Sequence, residues 1–94
     1  MYGTVMISRT GSPIEAMRSV LDEWRIAIGD AAGFVDERAL VTDDGRVVLC
    51  VRFRDRAAYE ALADHPDQDT WWREKMAPLL EGDVTWIDGD WHDL

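Results

Sequence analysis

From Tyr2 to Arg9 short, β-branched and apolar residues follow one another, and Gly11-Ser12-Pro13 ends the run abruptly, which predicts a first strand. Ser12-Pro13-Ile14-Glu15 then combines a serine placed to cap, a proline suited to the first helical position and a glutamate placed to return the capping bond. Behind it Met17, Val20, Leu21, Trp24 and Ile28 recur at helical spacing. A helix is expected from about Pro13 to Ile28, with Gly29 and Gly33 breaking the pattern.

Phe34 to Val41 and Arg46 to Phe53 are β-rich runs joined by Thr42-Asp43-Asp44-Gly45, whose Asp-Gly pair supplies the positive φ of a tight hairpin. Asp55 is placed to cap a second helix, which the geometry before Pro66 should break at His65. The helix resumes at Pro66, carries Trp72 and Met76 four apart with an Asp69–Arg73 pair at the same spacing, and ends near Pro78. Glu81-Gly82-Asp83 reads as a turn, Val84 to Asp88 as a last strand and Gly89 to Leu94 as a tail. The order predicts an α+β fold: a ferredoxin-like split βαβ (βαββαβ), a four-stranded antiparallel sheet with two helices on one face, in one domain spanning residues 1–94.

Alternation within the strands leaves neither face of this sheet polar. Val47, Leu49, Val51 and Phe53 share one side of the third strand, while Val48 and Cys50 share the other with Arg46, Arg52 and Arg54. The first strand likewise sets Val5 and Ile7 against Tyr2 and Met6. Helices can cover only one face, so a homodimer is expected to cover the other. Trp86 and Trp91 add aromatic area that either crosses to the partner or packs locally.

Charge narrows the partners. Nineteen acidic against ten basic residues give a net charge of −9, a field that repels phosphate backbones and anionic lipid surfaces; no nucleic acid and no membrane partner is expected. Cys50 is the only cysteine, so no internal disulfide can form. With no secretory leader and no membrane-length apolar stretch, a cytoplasmic location is expected.

The stretch from Gly33-Phe34 through Val51-Arg52-Phe53, Ala58-Tyr59-Glu60-Ala61-Leu62, Trp71-Trp72 and Pro78-Leu79-Leu80-Glu81-Gly82 resembles the dimeric α+β barrel superfamily, in particular the antibiotic biosynthesis monooxygenase-like (ABM-like) proteins. The resemblance implies two ferredoxin-like subunits placing their sheets face to face, with a small-molecule cleft between each sheet and its helices. It implies a range of activities: cofactor-independent oxygenation of polycyclic phenols, quinol oxidation, haem degradation, decarboxylation or isomerisation. Fold cannot choose among them. Three departures do some of the choosing. Trp71 stands where haem-degrading relatives place an axial histidine, the chain contains no asparagine where relatives use one, and Phe53 ends the third strand where tryptophan is common. Haem degradation is thereby disfavoured.

Arg52 has the directed donors to hold a phenolate or carboxylate in a cleft, or to pair with Asp36 or Glu37 of the neighbouring strand. Arg38 and Arg54 carry the same alternatives. Trp72 and Tyr59 are candidates to wall a pocket for a flat aromatic ligand, or are core. Trp71 beside Trp72 marks a junction or a cavity, because adjacent helical positions point about 100° apart. His65, at the break before Pro66, suits proton transfer near neutral pH or is an exposed helix-entry residue. His92 lies in the tail without a fixed ligand set, and Cys50 has no base beside it in sequence. No phosphate-binding glycine loop or dinucleotide fingerprint occurs. Neither a cofactor nor a metal is expected. The expected protein is a small homodimeric ABM-like enzyme acting on an aromatic or polyketide-like molecule, with Arg52 and His65 catalytic and Trp72, Trp71 and Tyr59 binding substrate. The alternative is a non-catalytic dimer of the same fold that binds a small ligand or a protein partner.

Overall fold

Alternation in the strands and helical spacing between them build one sheet with helices on one side. The computed structural model describes residues 1–30 and 32–94. Strands β1 (Tyr2–Arg9), β2 (Phe34–Val41), β3 (Arg46–Phe53) and β4 (Glu81–Asp90) pair antiparallel in the order β2-β3-β1-β4. Helices α1 (Ile14–Trp24), α2 (Arg56–Ala63) and α3 (Pro66–Trp71) complete a ferredoxin-like α+β arrangement. Among the described residues no helix is long and apolar enough to cross a membrane.

Local chemistry explains where the elements begin and end, and in three places it departs from expectation. Helix α1 starts one residue late: Pro13 holds the cap position in extended geometry, and Ser12 makes no capping bond. The preceding turn is instead ordered by Thr10, whose hydroxyl accepts the Ser12 N–H at 3.1 Å and donates to the Leu79 carbonyl at 2.6 Å. The second helical region is two helices, so the sheet carries three rather than two. Asp55 caps α2 by accepting the Ala58 N–H at 2.8 Å, Pro66 holds His65 extended, and His65 Nδ1 then accepts the Asp67 N–H at 3.1 Å to start α3. The third departure is at Glu81-Gly82-Asp83, which lies inside β4: Gly82 takes a positive φ of 74° where the β1–β4 register shifts between Ile7 and Arg9. The hairpin between β2 and β3 turns at Gly45, with φ 86°.

Both long helical regions widen at their C-terminal ends. Arg25–Gly29 after α1 and Trp72–Met76 after α3 are π-helical, and a short 3₁₀ turn, Ala77–Leu79, leads into β4.

Met6 from β1 and Val47, Leu49, Val51 and Phe53 from β3 meet Met17, Leu21 and Trp24 of α1, Leu62 of α2 and Met76 in one buried core. At the open end of β2 a bulge changes which residues face it: Phe34 pairs with Phe53 and Asp36 with Arg52, two steps on β2 against one on β3. Phe34 and Glu37 therefore share the helix-facing side, while Asp36 points to the other.

That other side carries Val5, Ile7, Val48 and Cys50 with the exposed Leu40 (63%) and Ile87 (55%). One end of it is occupied by the tail: Trp91 donates its backbone N–H to the Met1 carbonyl at 2.8 Å and lays its ring over Gly3. A Cβ on Gly3 would come within 2.5 Å of Trp91 Nε1 and collide with the Val51 carbonyl, so the position requires glycine.

Candidate functional site

Between the sheet and α1, α2 and α3 lies a cavity of about 480 Å³ walled mainly by aromatic and aliphatic side chains. Strand alternation supplies Thr4, Leu49, Val51, Phe53, Trp86 and Asp88, and the helices supply Leu21, Trp24, Tyr59 and Leu62 with Trp71 and Trp72 at the end of α3. The tryptophan doublet falls where α-helix passes into π-turn. The wider turn lets both rings reach inward, Trp71 against Trp24 (centroids 5.9 Å apart) and Trp72 against Trp86 (5.0 Å).

Polar tips along this wall are mostly fixed by bonds. Trp71 Nε1 donates to the Val20 carbonyl at 3.2 Å, and Trp24 Nε1 donates to Gln68 Oε1 at 2.5 Å. Tyr59 stacks on Phe53 and Tyr2 and donates its hydroxyl to Asp88 Oδ1 at 3.1 Å. Burial, with the Asp88 charge beside it, raises the Tyr59 pKa against the pull of Thr4, so the phenol stays a proton donor. These contacts lock the aromatic walls before any ligand arrives.

Glu37 is the exception. It lines the cavity from β2, its side chain only 14% exposed, and its Oε1 lies 3.6 Å from Arg25 Nη1. Its Oε2 is buried and, among the described residues, bonded to nothing. Burial raises its pKa, Arg25 lowering it and Asp22 raising it less strongly.

Tyr59, Trp71 and Trp72 thus come together on one cavity, and the structure places Arg52 and His65 elsewhere. Arg52 does not enter the cleft between sheet and helices. Alternation turns it to the opposite face of β3, where Nε lies 2.7 Å from Asp36 Oδ1 in a two-pronged pair, and that bond holds the Asp36 carboxyl below its ordinary range. His65 is half exposed, capping α3 beside a separate shallow hollow shared with Arg54 and Ala58. Glu37, Asp88 and Thr4 were not singled out from sequence. The signal for Glu37 was present: it stands in register with Val51 and shares its side with Ala39 and Val41, an acid on an apolar face.

No protein-family model and no curated protein matches this chain. Solved structures do. SnoaB, a cofactor-independent oxygenase from Streptomyces nogalater, superposes with a TM-score of 0.71 at 14% identity, over 97% of this chain and 94% of that one. The ActVA-Orf6 monooxygenase of Streptomyces coelicolor, in complex with nanaomycin D, gives 0.67 at 15% identity over 99% and 88%. A dimeric ferredoxin-like protein from Jannaschia gives 0.59 at 20% identity over 96% and 99%. The chain has the fold of the antibiotic biosynthesis monooxygenases. Fold likeness at these identities extends to the backbone and carries no residue's role with it.

Proposed function

We propose that this protein binds a flat, hydroxylated aromatic molecule in the aromatic cavity and oxygenates it without a cofactor, as a homodimer. One observation carries the reading: a cavity of about 480 Å³, the size of a fused-ring molecule, walled by Trp24, Trp71, Trp72 and Trp86 with Tyr59 at its edge. In the reaction a phenolic ring would lose its O–H proton and the C–H hydrogen at the oxygenated carbon; O₂ would take four electrons, one oxygen entering the quinone and the other leaving as water. Support for oxygenation comes from the fold shared with SnoaB and ActVA-Orf6, described as an oxygenase and a monooxygenase.

Dimerisation is supported by the apolar outer sheet face and by the dimeric Jannaschia protein of the same architecture. In this reading Trp71, Trp72 and Tyr59 hold the ring system. Arg52 and His65 lie outside the cavity, Arg52 on the face where a second subunit would pack, so a catalytic part for either depends on what the partner brings to them.

The deciding experiment is oxygen uptake by purified protein with a panel of polycyclic phenols and anthrone-type substrates, with thermal shift recorded on the same panel. Stabilisation together with uptake and quinone formation supports the enzyme. Stabilisation without uptake favours the second reading, a ligand-binding dimer, to which the absence of Arg52 and His65 from the cavity wall already lends weight.

A further inference from the structure

A carboxylate on the core face of a sheet is costly unless its oxygens are paired, and buried oxygens in native folds nearly always are. Glu37 meets that requirement on one side only. Arg25 lies along a second hollow behind α1 and not along the aromatic cavity, while Glu37 borders both, together with Leu21 and Leu49. Arg25 faces Oε1 and is shared with Asp22, which it contacts at 2.9 Å. Oε2 is left without a partner among the described residues, in a wall whose other polar tips are largely taken up by Val20, Gln68 and Asp88.

We propose that Glu37 is the polar anchor of the aromatic cavity, Oε2 accepting a hydrogen bond from a ring hydroxyl of the ligand. This rests on the cavity being the ligand site and adds a selectivity. A site built around a buried acceptor prefers a ring bearing a hydroxyl over the same ring without a donor. The same charge, in a poorly hydrated site, turns away aromatic carboxylates by like-charge repulsion. The cavity selects phenols over ethers and acids of equal shape.

Equilibrium dialysis of 2-naphthol, 2-methoxynaphthalene and 2-naphthoate against the wild type, Glu37→Gln and Glu37→Leu tests this, with melting curves showing that each variant is folded. The wild type should hold the naphthol roughly tenfold tighter than the methoxy compound, the scale of one charge-assisted hydrogen bond, and the naphthoate least of all. In Glu37→Leu the naphthol and methoxy affinities should converge through loss on the naphthol side alone, and in both variants naphthoate binding should rise. A naphthol preference that survives both substitutions, or a wild type that takes naphthol and methoxynaphthalene equally, overturns the anchor and leaves the cavity standing. If neither neutral probe binds the wild type, the cavity reading itself falls and the anchor with it.

Discussion

Trp72, from the π-helical turn after α3, and Trp86, from β4, meet with ring centroids 5.0 Å apart and planes tilted by 59°. This contact joins the last helical turn to the edge strand and closes one end of the aromatic cavity. Trp86 remains 47% exposed, so it is the wall that can be removed with least damage to the core. Trp86→Ala should lower the melting temperature by only a few degrees, since such a pair adds about 1 kcal/mol beyond area burial. The same variant should weaken binding of a fused-ring phenol roughly fivefold. Calorimetry and equilibrium dialysis on one preparation check both, and a collapse of the fold would show that the pair is structural rather than a cavity wall.

Glu37 and Asp36, adjacent in sequence, should respond to acid in opposite directions. The Glu37 pKa is raised by burial, so the folded state holds this proton more firmly than the unfolded chain. Its contribution is therefore neutral at low pH and becomes a loss of stability as pH rises through the interval between the ordinary and the raised value. Glu37→Leu should accordingly melt higher than the wild type near neutral pH, by about 1 kcal/mol or ~5 °C, with the advantage shrinking on acidification. Thermal melts between pH 4 and 8, values chosen to bracket the usual carboxylate range of about 4, give the comparison. An unchanged or lower melting temperature at neutral pH would mean that the Arg25 contact outweighs the burial cost.

For Asp36 the sign reverses. Its hydrogen bond to Arg52 holds the carboxyl below the ordinary value, so the pair stabilises the fold above that value and ceases to do so as pH falls through the lowered one. Arg52→Gln should cost stability at neutral pH and little in acid. Because Arg52 lies across the sheet from the cavity, affinity for an aromatic probe should change by less than about twofold, within the range of a surface substitution. A large loss of binding at constant oligomeric state would restore Arg52 to the site.

Leu40 and Ile87 stand at opposite margins of the outer sheet face, on β2 and β4, with Val48 and Val5 between them. A double substitution of both to glutamate should shift the protein from dimer to monomer in sedimentation velocity, because two buried charges facing their symmetry copies are not accommodated in an apolar interface. A species of unchanged mass would indicate that the face is covered in another way.

The strands and the hairpin were legible because alternation and an Asp-Gly turn act locally, and the break at His65 because proline acts on its neighbour. The cap at Ser12 was misread because Thr10, bonded to a carbonyl 69 residues away, takes over the turn. Trp71 and Trp72 were readable as a cavity mark, since an adjacent pair of large rings fits poorly on a single helical stripe. Arg52 was placed on the correct face of its strand, yet its partner was left open between Asp36 and Glu37. The bulge at Val35 decides this, and with it which acid faces the cavity, and a one-residue bulge leaves no strong mark in an apolar run.

The π-turn at Trp72–Met76 has a further consequence, for insertions and deletions. A π-turn holds one more residue than the α-turn that would span the same rise. Deleting one residue there would let the ordinary ladder re-form, but would turn everything that follows by about 100° and carry Met76, now fully buried, out of the core. Sequence changes that keep the length of this segment can therefore reshape the cavity ring by ring, whereas a change of a single residue in length would remove the wall altogether.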